Sequence, residues 1–121
     1  LTQIIYDVLK KQPCSLKHDS FFNIFKKGAG SEPHIHLSAV DARFNLRKHK
    51  YSLVYYIDVG DQNCEQPGIL KLHEPETEIL PEDGLILIFP ASRRHSSFYG
   101  GSKDRLMVGV NFYAFDPNIR K

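Results

Sequence analysis

The sequence is poor in several residue types and patterns, and each shortage excludes a class of protein. Its 121 residues include two cysteines and no tryptophan, and two thiols are too few for a disulfide-stapled scaffold. No apolar run approaches the roughly 20 residues that a membrane-spanning helix needs, and no signal peptide is visible. The 16 basic and 14 acidic residues give a net charge of +2, so no basic surface for nucleic acid is indicated. We therefore expect a cytoplasmic protein that is not bound to membranes.

What is present is typical of one globular domain. The composition is 41% apolar, 25% charged and 12% aromatic, and a chain of this length forms one domain, which we place at residues 1–121. Ile4, Ile5, Val8 and Leu9 recur at helical spacing, so an amino-terminal helix is predicted over residues 2–12, ending before Pro13.

After Pro13 the pattern changes to short apolar or alternating runs separated by Gly, Pro, Asp or Asn, which is typical of antiparallel strands. Eight strands are predicted, at residues 21–26, 34–38, 52–59, 68–73, 77–80, 84–89, 95–99 and 105–114. This number indicates a mainly β fold, a double-stranded β-helix or jelly roll over about residues 20–115 with the helix in front of it. The exposed sheet edges of such a barrel favour a homodimer. Residues 38–50 form the longest loop, where we expect either a mobile lid or a substrate contact.

The last strand alternates in a way that predicts two different faces. Successive strand residues point to opposite sides of a sheet, so one face carries the apolar residues 106, 108, 110 and 112 and should pack under the helix. The other face carries Arg105, Met107, Gly109 and Asn111. An arginine, a glycine and an amide on one face indicate a lined cavity, with an arginine reaching solvent at the strand end as the alternative.

Three of the six histidines have the spacing of a metal site. His34 and His36 are separated by one residue on a predicted strand, so both imidazoles are expected on one face. His95 follows the apolar strand 84–89 and is expected to begin a strand beside them. Three imidazoles suit Fe(II) with open coordination positions, and tetrahedral zinc with one water stays an alternative. The other three, His18, His49 and His73, are interpreted as exposed or structural.

These residues resemble the 2-oxoglutarate- and Fe(II)-dependent oxygenases. The resemblance covers roughly residues 20–115 and is carried by segments 33–36, 52–58, 68–75, 84–90 and 109–112 together with His95 and Arg105. Within that superfamily the sequence is similar to small oxygenases of phages and marine bacteria and, more distantly, to prolyl 4-hydroxylases. It implies an oxidoreductase, a dioxygenase that uses 2-oxoglutarate and O2, hydroxylates an unidentified primary substrate and releases succinate and CO2.

For the metal, the resemblance implies His34 as the first iron ligand and His95 as the distal one. The family usually has an aspartate or glutamate two positions after the first histidine, where this chain has His36. We expect the iron on His34, His36 and His95, while a carboxylate from elsewhere, such as Asp41, is the alternative second ligand. Because the usual carboxylate is absent, halogenation competes with hydroxylation as the reaction.

For the cosubstrate, the resemblance implies that Arg105 pairs with the far carboxylate of 2-oxoglutarate, since a guanidinium offers a carboxylate two parallel hydrogen bonds. Tyr55 or Tyr56 would add a phenolic hydrogen bond to the same molecule, and Asn111 would add one from the face of Arg105. For the two tyrosines, core packing is the competing interpretation.

The sequence is also similar to the cupins, which share the barrel. Gly28 lies six residues before His34, and Gly84 and Pro90 precede His95, as in the two cupin motifs. A cupin-type metalloprotein would be a three-histidine dioxygenase, an isomerase or a module that binds a metal or ligand, and it would not need Arg105. A barrel without catalysis, with histidines that pack or bind zinc, is the third hypothesis.

Overall fold

Two four-stranded antiparallel sheets pack face to face and enclose an apolar interior. The structure is a computed structural model that describes residues 2–10, 12–25 and 29–115, with side chains for residue 3, residues 7–10 and residues 35–115. In spatial order, the strands of the first sheet are residues 12–25, 105–115, 50–58 and 86–90, and those of the second sheet are residues 29–34, 95–99, 67–72 and 77–79. This mainly β architecture is a jelly roll, as the sequence predicts.

The elements follow one another with short connections. In chain order they are α1 (Thr2–Leu9), β1 (Gln12–Phe25), β2 (Ala29–His34), α2 (Ala39–Arg43), a 3-10 turn (Arg47–His49), β3 (Lys50–Asp58), β4 (Pro67–Leu72), β5 (Thr77–Ile79), β6 (Ile86–Pro90), β7 (His95–Tyr99) and β8 (Arg105–Phe115). The predicted bounds of β7 agree with the structure, and those of β3 to β6 and β8 differ by at most two residues at each end.

The amino-terminal third departs most from the prediction. The helix ends at Leu9 rather than at residue 12, and β1 begins at Gln12 rather than at residue 21. The first part of β1 is polar and has no alternation, so only its pairing with β8, where Gln12 lies opposite Phe115, defines it as a strand. The second predicted strand is also misplaced, because β2 ends at His34 instead of beginning there.

The two faces of β8 pack into two separate apolar clusters. Met107 on the inner face joins the interior cluster, whose other members are Val54, Tyr56, Leu70, Leu72 and Phe89. Phe112 on the outer face joins Tyr51, Leu53 and Ala114 in a second cluster outside the first sheet. The inner-face residues Arg105 and Asn111 are buried as well. The alternation of the last strand therefore separates the two faces as predicted and excludes an Arg105 that reaches solvent, while Met107 packs into the interior cluster.

The helix α1 covers only part of the outer cluster. Leu9 packs against that cluster, but Val8 is 60% exposed, so the predicted apolar face is not buried along its whole length. The side chains of Ile4 and Ile5 lie outside the described residues. Among the described helices, none has the length and apolar character needed to cross a bilayer.

Candidate metal centre and buried arginine

His95 begins β7, and its side chain contacts two other rings. It is 7% exposed, meets the Phe89 ring edge-on with centroids 5.0 Å apart, and stacks on the His36 ring with centroids 4.7 Å apart. His36 lies beyond the end of β2, and its N–H donates to the carbonyl of Ala91 at 2.9 Å. The premise that both members of the histidine pair lie on one strand is therefore wrong, and a loop brings His36 to His95.

The ring nitrogens of the two histidines converge. Nδ1 of His95 lies 3.1 Å from the carbonyl oxygen of Arg93, and because a carbonyl only accepts, this nitrogen carries the proton and Nε2 carries a lone pair. Nε2 of His95 and Nε2 of His36 are 3.0 Å apart. Metal-binding imidazoles commonly donate their second N–H to a carbonyl in this way, which fixes the ring for the ion.

The separation of the two Nε2 atoms fits a shared metal ion. At metal–nitrogen distances of about 2.1 Å, two nitrogens that bind one ion at a right angle lie about 3.0 Å apart. At the tetrahedral angle they would lie about 3.4 Å apart. The observed 3.0 Å also allows one N–H···N hydrogen bond between the rings. The pair is therefore compatible with both metals considered, octahedral Fe(II) and tetrahedral zinc.

The position of His34 is defined by the backbone. His34 is the last residue of β2 and lies opposite His95 in the antiparallel register, but its side chain lies outside the described residues. Among the side chains that the structure does describe, no group of three or more His, Cys, Asp and Glu residues is placed to hold a metal. The structure thus brings His36 and His95 together, and a role for His34 stays a prediction.

The remaining histidines contact other parts of the barrel. Nε2 of His73 lies 3.0 Å from Oγ of Ser96, in an open groove of about 490 Å³ that also includes Phe98. The His49 ring packs against Phe115 with centroids 4.6 Å apart. The side chain of His18 lies outside the described residues. These contacts agree with a structural role for His49 and His73.

Arg105 is fully buried between the two sheets. Its three nitrogens donate to three carbonyls, from Nε to Val59 at 3.0 Å, from Nη1 to Gly68 at 2.9 Å and from Nη2 to Pro67 at 2.7 Å. A Cβ at Gly68 would lie 2.0 Å from Nη1, and Gly68 has a φ of +81°, so glycine is required at this contact. The guanidinium thereby links β8 of the first sheet to β4 of the second.

The charge of Arg105 has no carboxylate partner among the described residues. Burial lowers the pKa of Arg105, and Tyr56 and Tyr99 partly oppose that shift, but a guanidinium stays protonated in proteins. Of its five N–H groups, three donate to the carbonyls and two remain. A buried cation with two N–H groups to spare has the chemistry to bind an anionic group.

The two candidate tyrosines lie on opposite sides of the first sheet. Tyr55 is 39% exposed, whereas Tyr56 is 2% exposed and its ring centre lies 5.8 Å from Cζ of Arg105. Burial raises the pKa of Tyr56 to about 12, with the charge of Arg105 acting in the opposite direction. The phenol therefore stays neutral, and of the two tyrosines Tyr56 is the one beside the arginine.

Asn111 lies on the same inner face of β8 as Arg105, six residues further along. It is 7% exposed, and its Oδ1 accepts a hydrogen bond from the hydroxyl of Ser52 at 2.7 Å. Because the oxygen is the atom held by Ser52, the amide NH2 is left as the donor group of this side chain. Sequence reasoning missed Ser52, since a serine within an apolar strand carries no signal of its partner.

The alternative ligand Asp41 is occupied by other contacts. Asp41 is fully buried; its Oδ1 accepts from the Tyr113 hydroxyl, and its Oδ2 accepts from Lys50 Nζ at 3.0 Å and from N and Oγ of Ser38 at 2.7 and 3.0 Å. Both carboxylate oxygens are therefore engaged. These contacts fold residues 38–50 into α2 and the 3-10 turn and tie the segment to β3 and β8, so it is not the free lid expected from the sequence.

The environment of Asp41 predicts acid sensitivity. Burial raises its pKa, but the hydrogen bonds from Tyr113, Ser38 and Lys50 outweigh burial and lower the pKa from 3.8 to about 2. The ionised form is therefore favoured in the folded state, so its contribution to stability is complete above about pH 4 and is lost as the pH falls toward 2. Urea unfolding measured between pH 2 and 7 should show this loss in the wild type and a flatter curve in Asp41→Asn. Parallel curves for the two proteins would contradict it.

Comparison with known proteins supports the fold. No model of a known protein family matches the sequence, and no curated protein matches it. A prolyl-4-hydroxylase from Pseudomonas putida superimposes with a TM-score of 0.65 at 19% identity, over 93% of this chain and 60% of that one. A 2OG-Fe(II) oxygenase family oxidoreductase from Burkholderia pseudomallei superimposes with a TM-score of 0.63 at 17% identity, over 93% of this chain and 49% of that one.

The barrel is also similar to cupins. The cupin domain of an XRE family transcriptional regulator from Enterobacter cloacae superimposes with a TM-score of 0.55 at 18% identity, over 85% of this chain and 94% of that one. The chain thus spans half to 60% of the length of the two oxygenases and nearly all of this cupin domain. Since every identity is below 20%, what the chain shares with these proteins is the jelly-roll fold of the cupins and of the 2-oxoglutarate oxygenases.

Proposed function

We propose that the protein is an Fe(II)- and 2-oxoglutarate-dependent oxygenase that oxidises an unidentified primary substrate. The observation that carries the proposal is the convergence of two imidazole nitrogens, His36 Nε2 and His95 Nε2, at the 3.0 Å separation of two ligands on one octahedral ion. His34, opposite His95 in the register, is the proposed third ligand. The chemistry that Fe(II) and 2-oxoglutarate supply when bound is the activation of dioxygen, with release of succinate and CO2.

The residues around the pair would orient the ligands. The carbonyl of Arg93 holds His95 by its Nδ1 proton, so the lone pair of Nε2 stays directed at His36. Phe89 contacts the His95 ring edge-on and belongs to the apolar interior cluster. An apolar wall of this kind excludes water and strengthens the electrostatic interactions at the centre.

Arg105 would anchor the cosubstrate at the other end of the barrel interior. It lies beside Tyr99, at the end of β7 opposite His95, with its Cζ 4.6 Å from the Tyr99 ring centre. The two N–H groups that do not donate to carbonyls would bind a carboxylate, which would also supply the missing countercharge. Tyr56 would form the adjoining wall, and Asn111, held by Ser52, would donate from its amide to a second acceptor on the ligand.

A second candidate is a cupin-type metalloprotein that does not use 2-oxoglutarate. The observation that favours it is the occupation of Arg105 by three backbone carbonyls, because such an arginine also serves to join the two sheets without any ligand. The near-complete coverage of a cupin domain agrees with this candidate. Both candidates share the metal centre and differ only in the role of Arg105.

Anaerobic titration separates the two candidates. We expect the protein loaded with Fe(II) to develop a visible charge-transfer band when 2-oxoglutarate is added and no band when succinate is added as the matched control. The keto acid group is present only in 2-oxoglutarate, so the band reports chelation of the metal. If metal analysis shows bound iron and saturating 2-oxoglutarate produces no band, the oxygenase proposal fails and the cupin candidate stands.

A further inference from the structure

A buried charged cluster lies directly after the candidate metal ligand His36. It consists of Asp41, Lys50, Tyr113 and Ser38, which we call the Asp41 cluster. Asp41 is fully buried, and Lys50 and Tyr113 are 6% and 2% exposed. The Asp41 carboxylate receives four hydrogen bonds, two from Ser38 and one each from the other two residues. Residues from the loop, from β3 and from β8 thus meet on one carboxylate.

Such a cluster is a costly way to stabilise a fold. Removing two charges from water costs free energy, and their attraction offsets that cost only with good geometry and further hydrogen bonds. Apolar residues of similar volume in the same place often stabilise a protein equally. In some proteins a buried, hydrogen-bonded charge cluster is kept because it fixes one geometry, and that is the role we assign here. The segment whose geometry it fixes is the one that contains Ser38, two residues after His36.

A second set of contacts links the same elements to His36 from the other side. The N–H of His36 donates to the carbonyl of Ala91 at 2.9 Å, and the N–H of Ala91 donates to the carbonyl of Lys50 at 3.0 Å. His36 is therefore connected to Lys50 through Ala91 and to Asp41 through Ser38. The main chain from His36 to Ser38, the Asp41 carboxylate and the Lys50 ammonium thus form a closed circuit of contacts around the loop.

This circuit of contacts gives His36 the support that a strand would otherwise provide. His95 lies in β7, between β2 and β4 in the second sheet, whereas His36 lies after the end of β2. A metal site needs its ligands held within about 0.5 Å of the productive geometry. For His95 the sheet provides this, and for His36 the contacts to Ala91 and, through Ser38, to the Asp41 cluster contribute to it.

We propose that Asp41 is a positioning residue for His36. Through its contacts with Ser38, Tyr113 and Lys50, Asp41 fixes the main chain that presents the His36 imidazole to the metal. The role rests on the proposed metal centre, but it concerns a residue that binds no metal itself. It assigns to Asp41 a supporting function in place of the ligand role suggested by the sequence.

The test uses Tyr113→Phe, which removes one hydrogen bond to Asp41 with little change of shape, and Asp41→Asn as the stronger variant. Asp61→Asn is the matched control, because Asp61 also accepts hydrogen bonds from a serine main chain and hydroxyl, those of Ser102, in another loop. Loss of a supporting partner typically lowers metal affinity about 10- to 100-fold. Because Tyr113 acts on His36 through Asp41 and Ser38, we expect a loss of Co(II) affinity at the lower end of that range for Tyr113→Phe and a change below about twofold for the control.

A double-mutant cycle with His36→Ala distinguishes positioning from a general structural effect. If Asp41 acts through His36, Tyr113→Phe should lower Co(II) affinity in the wild type and have no further effect once His36 is alanine. An equal loss in both backgrounds, or no loss in either, would overturn the proposal. Since Tyr113→Phe keeps the carboxylate, the cycle stays informative even if Asp41→Asn does not fold.

Hydrogen exchange of the metal-free protein separates failure of this inference from failure of the proposed function. The amide of His36 should exchange about tenfold faster in Tyr113→Phe than in the wild type, with the Asp61→Asn control unchanged, because the loop opens more often when the cluster is weakened. Unchanged exchange at His36 contradicts the positioning role whether or not metal binds. Faster exchange in a protein that binds no metal would support the positioning of His36 and contradict the metal centre.

Discussion

Replacement of His95 by alanine is expected to lower the affinity for Fe(II) or Co(II) by more than about 100-fold. Loss of a mere supporting partner costs 10- to 100-fold, and His95 is one of the two residues whose Nε2 atoms converge. A ligand that binds only the folded state raises stability by an amount set by its concentration relative to Kd. At a metal concentration 100 times the wild-type Kd, we therefore expect the variant to lose at least about 2.3 of the roughly 2.7 kcal/mol of metal-dependent stabilisation.

His73→Ala is the matched control for this measurement. His73 is also a histidine of the second sheet region, with its Nε2 bound to Ser96, and it is not grouped with other metal-binding side chains among the described residues. Calorimetric titration should give the control the affinity of the wild type. Equal affinities for His95→Ala and the wild type would place any bound metal elsewhere.

The second large effect is expected at Arg105. Arg105→Ala would leave the carbonyls of Val59, Pro67 and Gly68 without their donors, and each buried acceptor left unpaired costs about 1–3 kcal/mol. Domains of this kind are stable by only about 5–15 kcal/mol, so this variant approaches unfolding. Urea unfolding should show a correspondingly lower midpoint.

Arg105→Lys separates the structural role from cosubstrate binding. Lysine keeps the charge but lacks the planar fork that binds a carboxylate with two parallel hydrogen bonds. We expect 2-oxoglutarate affinity to fall at least about tenfold while metal affinity changes by less than about twofold. Arg43→Lys is the control, since Arg43 is an exposed arginine whose guanidinium lies over the Phe44 ring. Unchanged 2-oxoglutarate affinity in Arg105→Lys would mean that this arginine serves only to join the sheets.

The sequence predicts the fold where local patterns and tertiary packing agree. β8 alternates between an apolar face and a face with Arg105 and Asn111; the face with Arg105 and Asn111 is buried, and the apolar face is half-buried at residues 106, 108 and 110 and buried at Phe112. The first part of β1 could not be predicted, because it is polar and its pairing partner is about 100 positions away in the chain. An alternating apolar pattern in the sequence indicates a strand that is buried on one face. It gives no signal for a strand that is defined only by hydrogen bonds to a distant strand.

The candidate site was predictable in its residue types and less so in its geometry. The sequence grouped His34, His36 and His95, and the structure brings His36 and His95 of this group together, although a loop rather than a strand carries His36 there. Only one of Tyr55 and Tyr56 can face the interior, because adjacent strand residues point to opposite sides of a sheet. Two adjacent aromatic residues do not show which of them that is. The environment of Asp41 depends on Tyr113, 72 positions later, and no local signal joins the two.

X-ray absorption at the cobalt edge of the Co(II)-loaded protein tests the shared metal ion most directly. The account predicts nitrogen neighbours at about 2.1 Å and the outer-shell scattering of at least two imidazole rings, reduced by one ring in His36→Ala and in His95→Ala. A spectrum without imidazole scattering, or one that neither substitution changes, would contradict it.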